Sequence, residues 1–407
     1  MACAKSELCI FDGPLPQVVI DSSSFEEIFP TNSITADKQP VIEFNIIGSN
    51  TDYLDLNDTL LFIDLKVVDD KKAILTDASD VVPGNYMFHT LFSDVILSLN
   101  NIVIEGGNAN YAPKALIETV LNYGADTRDT TLSSIGYDAD SADRKKWIAK
   151  SQSFTMCGSL QLDFFDQPKY LIPGVNVNLK LKRNHPNLSL KSDAGAPLIF
   201  INEAKLFVRR VKVEPSVLIG HQIGLNTQNA IYPIRKTRLV THTIPQGSSS
   251  FFKDQIFGDE RLPKFVLVTF QSAKQKNGDY KSDCSTFSHL NVTNMTLSRN
   301  TDFRETYTQD FDANYVTSYV SSIVRNMGHL DKNLNCGITH DDFKDKYPFF
   351  TFVLAPDFDV NTTQLPKQGN LKLDIKFKAG ITSPAVVHIY GIFDSDIQIN
   401  KNRTIFI

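Results

Sequence analysis

Apolar and polar residues alternate with a period of two along much of this chain. Val175, Val177, Leu179 and Leu181 are separated by Asn176, Asn178 and Lys180, and Leu371, Leu373, Ile375 and Phe377 by Lys372, Asp374 and Lys376. Successive side chains of a strand point to opposite faces, so each run sets one face on a core and the other in water, as antiparallel sheets do. The same pattern predicts strands over 41–47, 60–68, 95–104, 204–213, 237–244, 265–271, 290–297, 349–354, 385–393 and 397–399. Within 204–213 the apolar set changes phase from Leu206 and Val208 to Val211 and Val213. A bulge near Arg209 and Arg210 would restore the register.

Helical signals are few. Over 113–123, Pro113 stands at a start position, Leu116, Ile117, Val120 and Leu121 form a stripe, and Gly124 follows as a stop. A shorter helix is predicted over 143–149, around the single tryptophan, Trp147. Many strands with Gly, Pro and Asn turns and almost no helices between them predict antiparallel sandwiches rather than βαβ units.

The chain also repeats itself. Segments 160–182 and 351–378 both run strand, Asp-bearing loop, Leu with a nearby Pro, Gly, then an alternating strand rich in lysine. Gly174 and Gly369 lie 195 residues apart, and Phe92-Ser93-Asp94-Val95 and Phe287-Ser288-His289-Leu290 recur at the same offset. At the openings, 41–47 and 60–68 are matched with 237–244 and 265–271. The expected fold class is therefore all-β, two tandem eight-stranded jelly rolls with a few short helices in loops. The expected boundaries are an N-terminal arm over 1–39, a first jelly roll over 40–213, a connector over 214–230 and a second jelly roll over 231–407. Long loops are expected over 272–287, 300–312 and 327–347.

Composition narrows the function. A length of 407 residues suits more than one domain, and 42% hydrophobic residues suffice for two cores. The formal charge of −5 gives no basic signature of a protein that grips nucleic acid through phosphates. No apolar run is long enough to cross a bilayer, and the first twenty residues do not read as a secretory signal. Cys3, Cys9, Cys157, Cys284 and Cys336 are odd in number and scattered, which predicts free thiols in a reducing compartment. Sequons at Asn57, Asn187, Asn291, Asn294, Asn361 and Asn402 then read as polar loops.

No catalytic constellation stands out, so the catalytic, cofactor-binding and metal residues are each expected to be none. There is no G-x-S-x-G elbow, no HxH or HExxH pair and no phosphate-binding glycine motif around Gly106-Gly107. His388 lies in a predicted strand and is expected to be a satisfied structural histidine. Asp341, Asp342 and Asp345 read as a solvated loop. Arg209-Arg210-Val211-Lys212, Arg235-Lys236-Thr237-Arg238 and Lys180-Leu181-Lys182-Arg183 offer about three charges each, against the ~6–10 phosphate contacts of a strongly salt-dependent binder. They read as a solvated or subunit-facing sheet surface, with a weak contact to packaged nucleic acid as the other reading.

A set of short stretches resembles a known family. These are Pro40-Val41-Ile42-Glu43-Phe44, Asp52-Tyr53-Leu54-Asp55-Leu56, Phe88-His89-Thr90-Leu91-Phe92-Ser93-Asp94-Val95 and Ile117-Glu118-Thr119-Val120-Leu121-Asn122-Tyr123-Gly124. Further along come Gly158-Ser159-Leu160-Gln161-Leu162-Asp163-Phe164-Phe165, Arg209-Arg210-Val211-Lys212-Val213-Glu214-Pro215, Ala230-Ile231-Tyr232-Pro233-Ile234-Arg235, Gly369-Asn370-Leu371-Lys372-Leu373 and Val387-His388-Ile389-Tyr390. Together they resemble the double jelly-roll major capsid protein of Polinton/Maverick elements and adintoviruses. The resemblance implies a structural protein of the virion capsid, not an enzyme and without cofactors. It implies a homotrimer that forms a pseudo-hexameric prism and tiles an icosahedral shell. The implied partners are other copies of the chain, a single jelly-roll vertex (penton) protein and minor capsid proteins, with no sequence-specific nucleic acid. Synthesis in the host cytoplasm and assembly in the nucleus are the implied locations. A carbohydrate- or receptor-binding double sandwich, a domesticated element-encoded protein that does not assemble, and a bicupin-type metalloenzyme are the alternatives.

Overall fold

Two β-sandwiches follow one another in the computed structural model, which describes residues 17–34, 40–76, 79–137, 140–193, 195–258, 261–299, 303–327, 336–355 and 367–407. The first half contains β1 (Ile20–Ile28), β2 (Val41–Ile46), β3 (Asp52–Val68), β4 (Val82–Pro83), β5 (Phe92–Leu99), β6 (Ile102–Glu105), β7 (Phe154–Gly158), β8 (Val177–Arg183), β9 (Leu190–Lys191) and β10 (Leu198–Val213). The second contains β11 (Ala230–Ile244), β12 (Ser250–Lys253), β13 (Phe265–Ser272), β14 (Val292–Arg299), β15 (Phe303–Thr308), β16 (Phe350–Val353), β17 (Leu371–Phe377), β18 (Ala385–Ile399) and β19 (Ile405–Phe406).

The sheets show the duplication strand for strand. In the first half, β1-β10-β3-β7 faces β2-β8-β5-β6; in the second, β11-β18-β13-β16 faces β12-β17-β14-β15. Taken in this order the sixteen strands of these four sheets pair off place for place; β4 and β9 of the first half and β19 of the second stand outside the repeat, and all the ladders are antiparallel. This is a double jelly roll. The strictly alternating runs behave as the period-two argument requires: Val177, Leu179 and Leu181 are buried between more exposed Asn178, Lys180 and Lys182, and β17 repeats the pattern. Phe44, Leu61 and Leu206 fill the first core, and Phe270, packed edge-on to Phe377, with Leu297 and Ile389 fills the second. Both cores belong to one continuous apolar cluster.

The repeat is real, but its sequence alignment slips. The structural counterpart of β1 is β11, so the match of 41–47 with 237–244 is displaced by one strand. Asp94 pairs with Lys182 where Asn294 pairs with Lys376, so Phe92–Val95 corresponds to Val292–Met295 and not to Phe287–Leu290. The slip begins in β1, which lies inside the expected arm yet hydrogen-bonds along β10. Its sequence IDSSSFEEI carries no apolar alternation because most of it is exposed. The expected connector is likewise ordered: Pro215–Gly224 is a helix with Pro215 at its start and Glu214 capping the Ser216 N–H, and none of its residues is buried.

Other expectations shift in detail. The predicted strand 95–104 is a hairpin, β5 and β6, turning at Asn100 and Asn101 with φ of 46° and 69°. Two asparagines in the left-handed region make the tight turn that matches strand twist. The register of β10 on β3 breaks between Phe207 and Arg209, beside the predicted bulge. The 113–123 helix runs over Tyr111–Asn122, and the short one over Ser141–Trp147. The loops expected around 272–287, 300–312 and 327–347 contain the helix Ala273–Asn277, strand β15 and the helix His340–Asp345.

Gly106-Gly107 has a structural task. Both have positive φ (102° and 93°), and the Gly107 N–H donates to both carboxylate oxygens of Asp94 at 3.0 and 3.1 Å. A Cβ on Gly106 would meet the Val95 carbonyl oxygen and come within 2.7 Å of the Ile96 Cα. Gly106→Ala should therefore destabilise the chain by about 1–3 kcal/mol, read from urea unfolding, through strain at a positive-φ position compounded by a backbone clash.

Candidate interface between the jelly rolls and its open counterpart

The two rolls are joined along a seam. At one end Arg403 donates from Nε to the Pro173 carbonyl at 2.6 Å, and Asn100 donates to the Arg403 carbonyl at 2.9 Å. The Tyr232 hydroxyl donates to the Tyr170 carbonyl and accepts from the Ile172 N–H, while its ring meets Phe164 edge-on. At the other end Lys191 pairs with Asp283 at 2.6 Å, the Ser192 N–H donates to the Tyr280 carbonyl, and Arg128 donates to the Gly337 carbonyl.

A buried ionic cluster lies on this seam. The helix Tyr111–Asn122 presents Lys114 and Glu118 one turn apart; β6 supplies Glu105, and the segment after β7 supplies Asp163. Lys114 Nζ donates to Asp163 Oδ1 at 2.9 Å and to Glu105, and lies 3.8 Å from Glu118. The second roll closes the cluster. Thr237 of β11 donates its N–H and hydroxyl to the two Asp163 oxygens at 2.7 and 2.6 Å, and the Tyr390 hydroxyl of β18 donates to Glu118 at 3.0 Å. One cation thus faces three carboxylates away from water. Burial pushes Glu118 up to about 8 and Glu105 up to about 7, with Lys114 pulling each back. Burial acts to lower Lys114, yet Asp163, Glu105 and Glu118 together hold it well above the usual lysine range.

One outer sheet face is buried, in part by the seam, and its twin is left partly exposed. In the second roll, the outward residues His388 and Tyr390 of β18 and Phe265 and Leu267 of β13 are buried, Tyr390 being 2% exposed. The equivalent face of the first roll, on β1, β10 and β3, carries Phe25 (57% exposed), Leu60 (37%) and half-buried Phe62 and Phe207. Lys205 lies over the Phe62 and Phe207 rings at 5.1 and 5.4 Å from their centroids. The same sheet face in two copies of one fold is thus a covered seam in one and an aromatic surface in the other.

The residues nominated from sequence distribute as follows. The basic clusters are largely engaged across strands: Arg209 with Asp58 (2.6 Å), Arg210 with Glu26, Lys212 with Asp21 (3.5 Å), Lys180 with Glu43 (3.2 Å) and Lys182 with Asp94 (3.1 Å). Thr237, in the Arg235–Arg238 cluster, faces the seam. Asp342 caps a short helix reciprocally with Thr339 instead of standing in a solvated loop, and Lys346 pairs with it at 3.2 Å. His388 is structural but not satisfied: burial, with Lys276 adding to it, pushes its pKa down to about 3, and neither ring nitrogen has a hydrogen-bond partner among the described residues. Its ring meets Phe287 edge-on. Cys157, Cys284 and Cys336 are free thiols; Cys3, Cys9 and the Asn361 sequon lie outside the described residues. Among the described residues no helix is long and apolar enough to cross a membrane, and no group of three His, Cys, Asp or Glu is placed to hold a metal ion.

The cluster itself went unrecognised in the sequence. Its one local signal is Lys114 and Glu118, four apart on a mostly apolar helix. Asp163, Thr237 and Tyr390 come from distant strands and loops.

The fold and the seam define the class of protein, a double jelly roll. Similar folds occur in viral particles. A chain in the cryo-EM structure of the Sputnik virophage has a TM-score of 0.66 at 12% identity, covering 100% of this chain and 92% of that one. A chain of the PBCV-1 virus capsid has a TM-score of 0.60 at 12% identity, covering 96% and 97%. The mavirus major capsid protein has a TM-score of 0.55 at 11% identity, covering 99% and 92%. In sequence, an uncharacterized protein of Caenorhabditis elegans is 23% identical over 390 residues, 88% of this chain and 91% of its own length. No family model matches the chain.

Proposed function

We propose that this chain is a major capsid protein of the Polinton/Maverick and adintovirus kind, a structural subunit and not an enzyme, which assembles as a homotrimer. The observation that carries the reading is the partly exposed aromatic outer face of the β1-β10-β3-β7 sheet. Its twin in the second roll is buried and meets the first roll of the same chain at Thr237 and Tyr390, so the second roll of a neighbouring chain is the fitting cover for the first. Such contacts are heterologous, joining unlike surfaces head to tail, and they close into a ring when the rotation allows. Three chains of two rolls make six similar walls, a pseudo-hexameric tile for an icosahedral shell in the virion. The capsid proteins among the structurally similar chains support this use of the fold. The relative in Caenorhabditis elegans supports a gene carried within an animal genome. A vertex protein and minor capsid proteins would complete the shell, with synthesis in the cytoplasm and assembly in the nucleus.

Mass photometry of the purified chain tests this. Particles of three chain masses are expected at and below micromolar concentration. A species that stays monomeric at micromolar concentration would overturn the reading and favour a binding module that does not assemble.

A further inference from the structure

We infer that the Lys114–Glu105–Glu118–Asp163 cluster is a proton-held latch between the two jelly rolls, closed at neutral pH and loosened when the medium turns alkaline. The inference concerns contacts within one chain, so it stands whether or not chains assemble.

The geometry carries it. If all four groups were charged, the buried cluster would hold three negative charges against one positive, an excess that a low-dielectric site tolerates poorly. A proton held by Glu105 or Glu118 relieves that excess. Glu118 is the member that holds the proton best: it is farthest from Lys114, at 3.8 Å, and its hydrogen bond comes across the seam from Tyr390. Every element packed there contributes. The helix brings Lys114, Glu118 and Tyr111; β6 brings Glu105; the segment after β7 brings Asp163, with Asp166 beyond it; β11 brings Thr237, with Arg235 near Asp166; and β18 brings Tyr390. Tyr111 is itself held by His89 and the Gln161 N–H, and burial keeps both Tyr111 and Tyr390 protonated far above neutral pH. Lys114 and the two tyrosines therefore keep their charge states between pH 6 and 9, which leaves Glu105 and Glu118 to titrate.

The sign follows from linkage. A carboxyl whose folded pKa is raised retains its proton in the folded state where the unfolded chain has already released it. Its contribution is fully present below the unfolded value of about 4.5 and is lost as pH rises through about 7 to 8. The contacts at the ends of the seam include backbone carbonyls that do not titrate, such as those of Pro173 and Gly337. Loosening should therefore centre on the helix, β11 and β18.

Hydrogen exchange followed by mass spectrometry, corrected for intrinsic rates, tests the latch in the full chain. Between pH 6.5 and 9, protection of peptides spanning 111–122 and 232–243 should fall about tenfold in the wild type. It should fall less than about threefold in Glu118→Gln, whose amide oxygen still accepts from Tyr390 without the charge. Glu105→Gln serves as the second variant should Glu118→Gln fail to fold, and it too should blunt the pH response. Unchanged wild-type protection over this range, or an equal loss in wild type and folded variants, would overturn the inference.

Discussion

Replacing Lys114 by methionine should destabilise the chain by about 3–5 kcal/mol at pH 7, the range found when one partner of a buried, hydrogen-bonded ion pair is removed. Methionine approximates the aliphatic stem, so the loss comes from charge more than from volume. Without the ammonium group, Glu105, Glu118 and Asp163 are left with no cation among them and hold each other within a few ångströms of Lys114's former place. The variant should therefore regain stability as pH falls toward 5, because carboxyls protonate more readily than three buried charges can coexist. Urea unfolding at pH 5 and pH 7 checks both parts. A loss below about 1 kcal/mol at pH 7 would mean that the seam does not rely on this cation.

Placing aspartates at Phe25 and Leu60 should do the opposite: leave the fold and remove the assembly. Both side chains are exposed within the single chain, and substitutions at such positions usually change stability by less than about 0.5 kcal/mol. The face they occupy is the proposed landing surface for a neighbour's second roll, where charge is disfavoured at the centre of an interface. Phe25→Asp with Leu60→Asp should weaken association at least about 100-fold, equivalent to about 2.7 kcal/mol, with an unaltered urea midpoint for the chain itself. Trimers that persist at unchanged affinity would show that this face is not the contact. Monomers with a lowered urea midpoint would show instead that these residues support the fold.

The legibility of the structure in the sequence follows burial. Strands with one face on the core and one in water announced themselves, as in Val177–Arg183 and Leu371–Phe377, because each alternate position has a different solvent. Strand Ile20–Ile28 did not, because it is an edge strand exposed on most of its surface, and without it the opening strand of the repeat, 41–47, is matched to 237–244, one strand out of step. At the other extreme, Phe265–Ser272 is buried on both faces and reads as an unbroken apolar run, which marks a strand but not what covers it. The ionic cluster was hidden for another reason. Its members are separated by up to 285 positions, from Glu105 to Tyr390, and only the packing of one roll on the other brings them together. Fold class is a local property repeated many times over; the seam is a long-range one.

Single-particle electron microscopy of the purified chain addresses the central claim most directly. The expected particle contains three chains around a threefold axis with a nearly six-sided outline, and Phe25, Leu60 and Phe207 of each chain lie under the second jelly roll of the next. A particle of one or two chains, or a ring in which that sheet face remains open to solvent, would contradict the account.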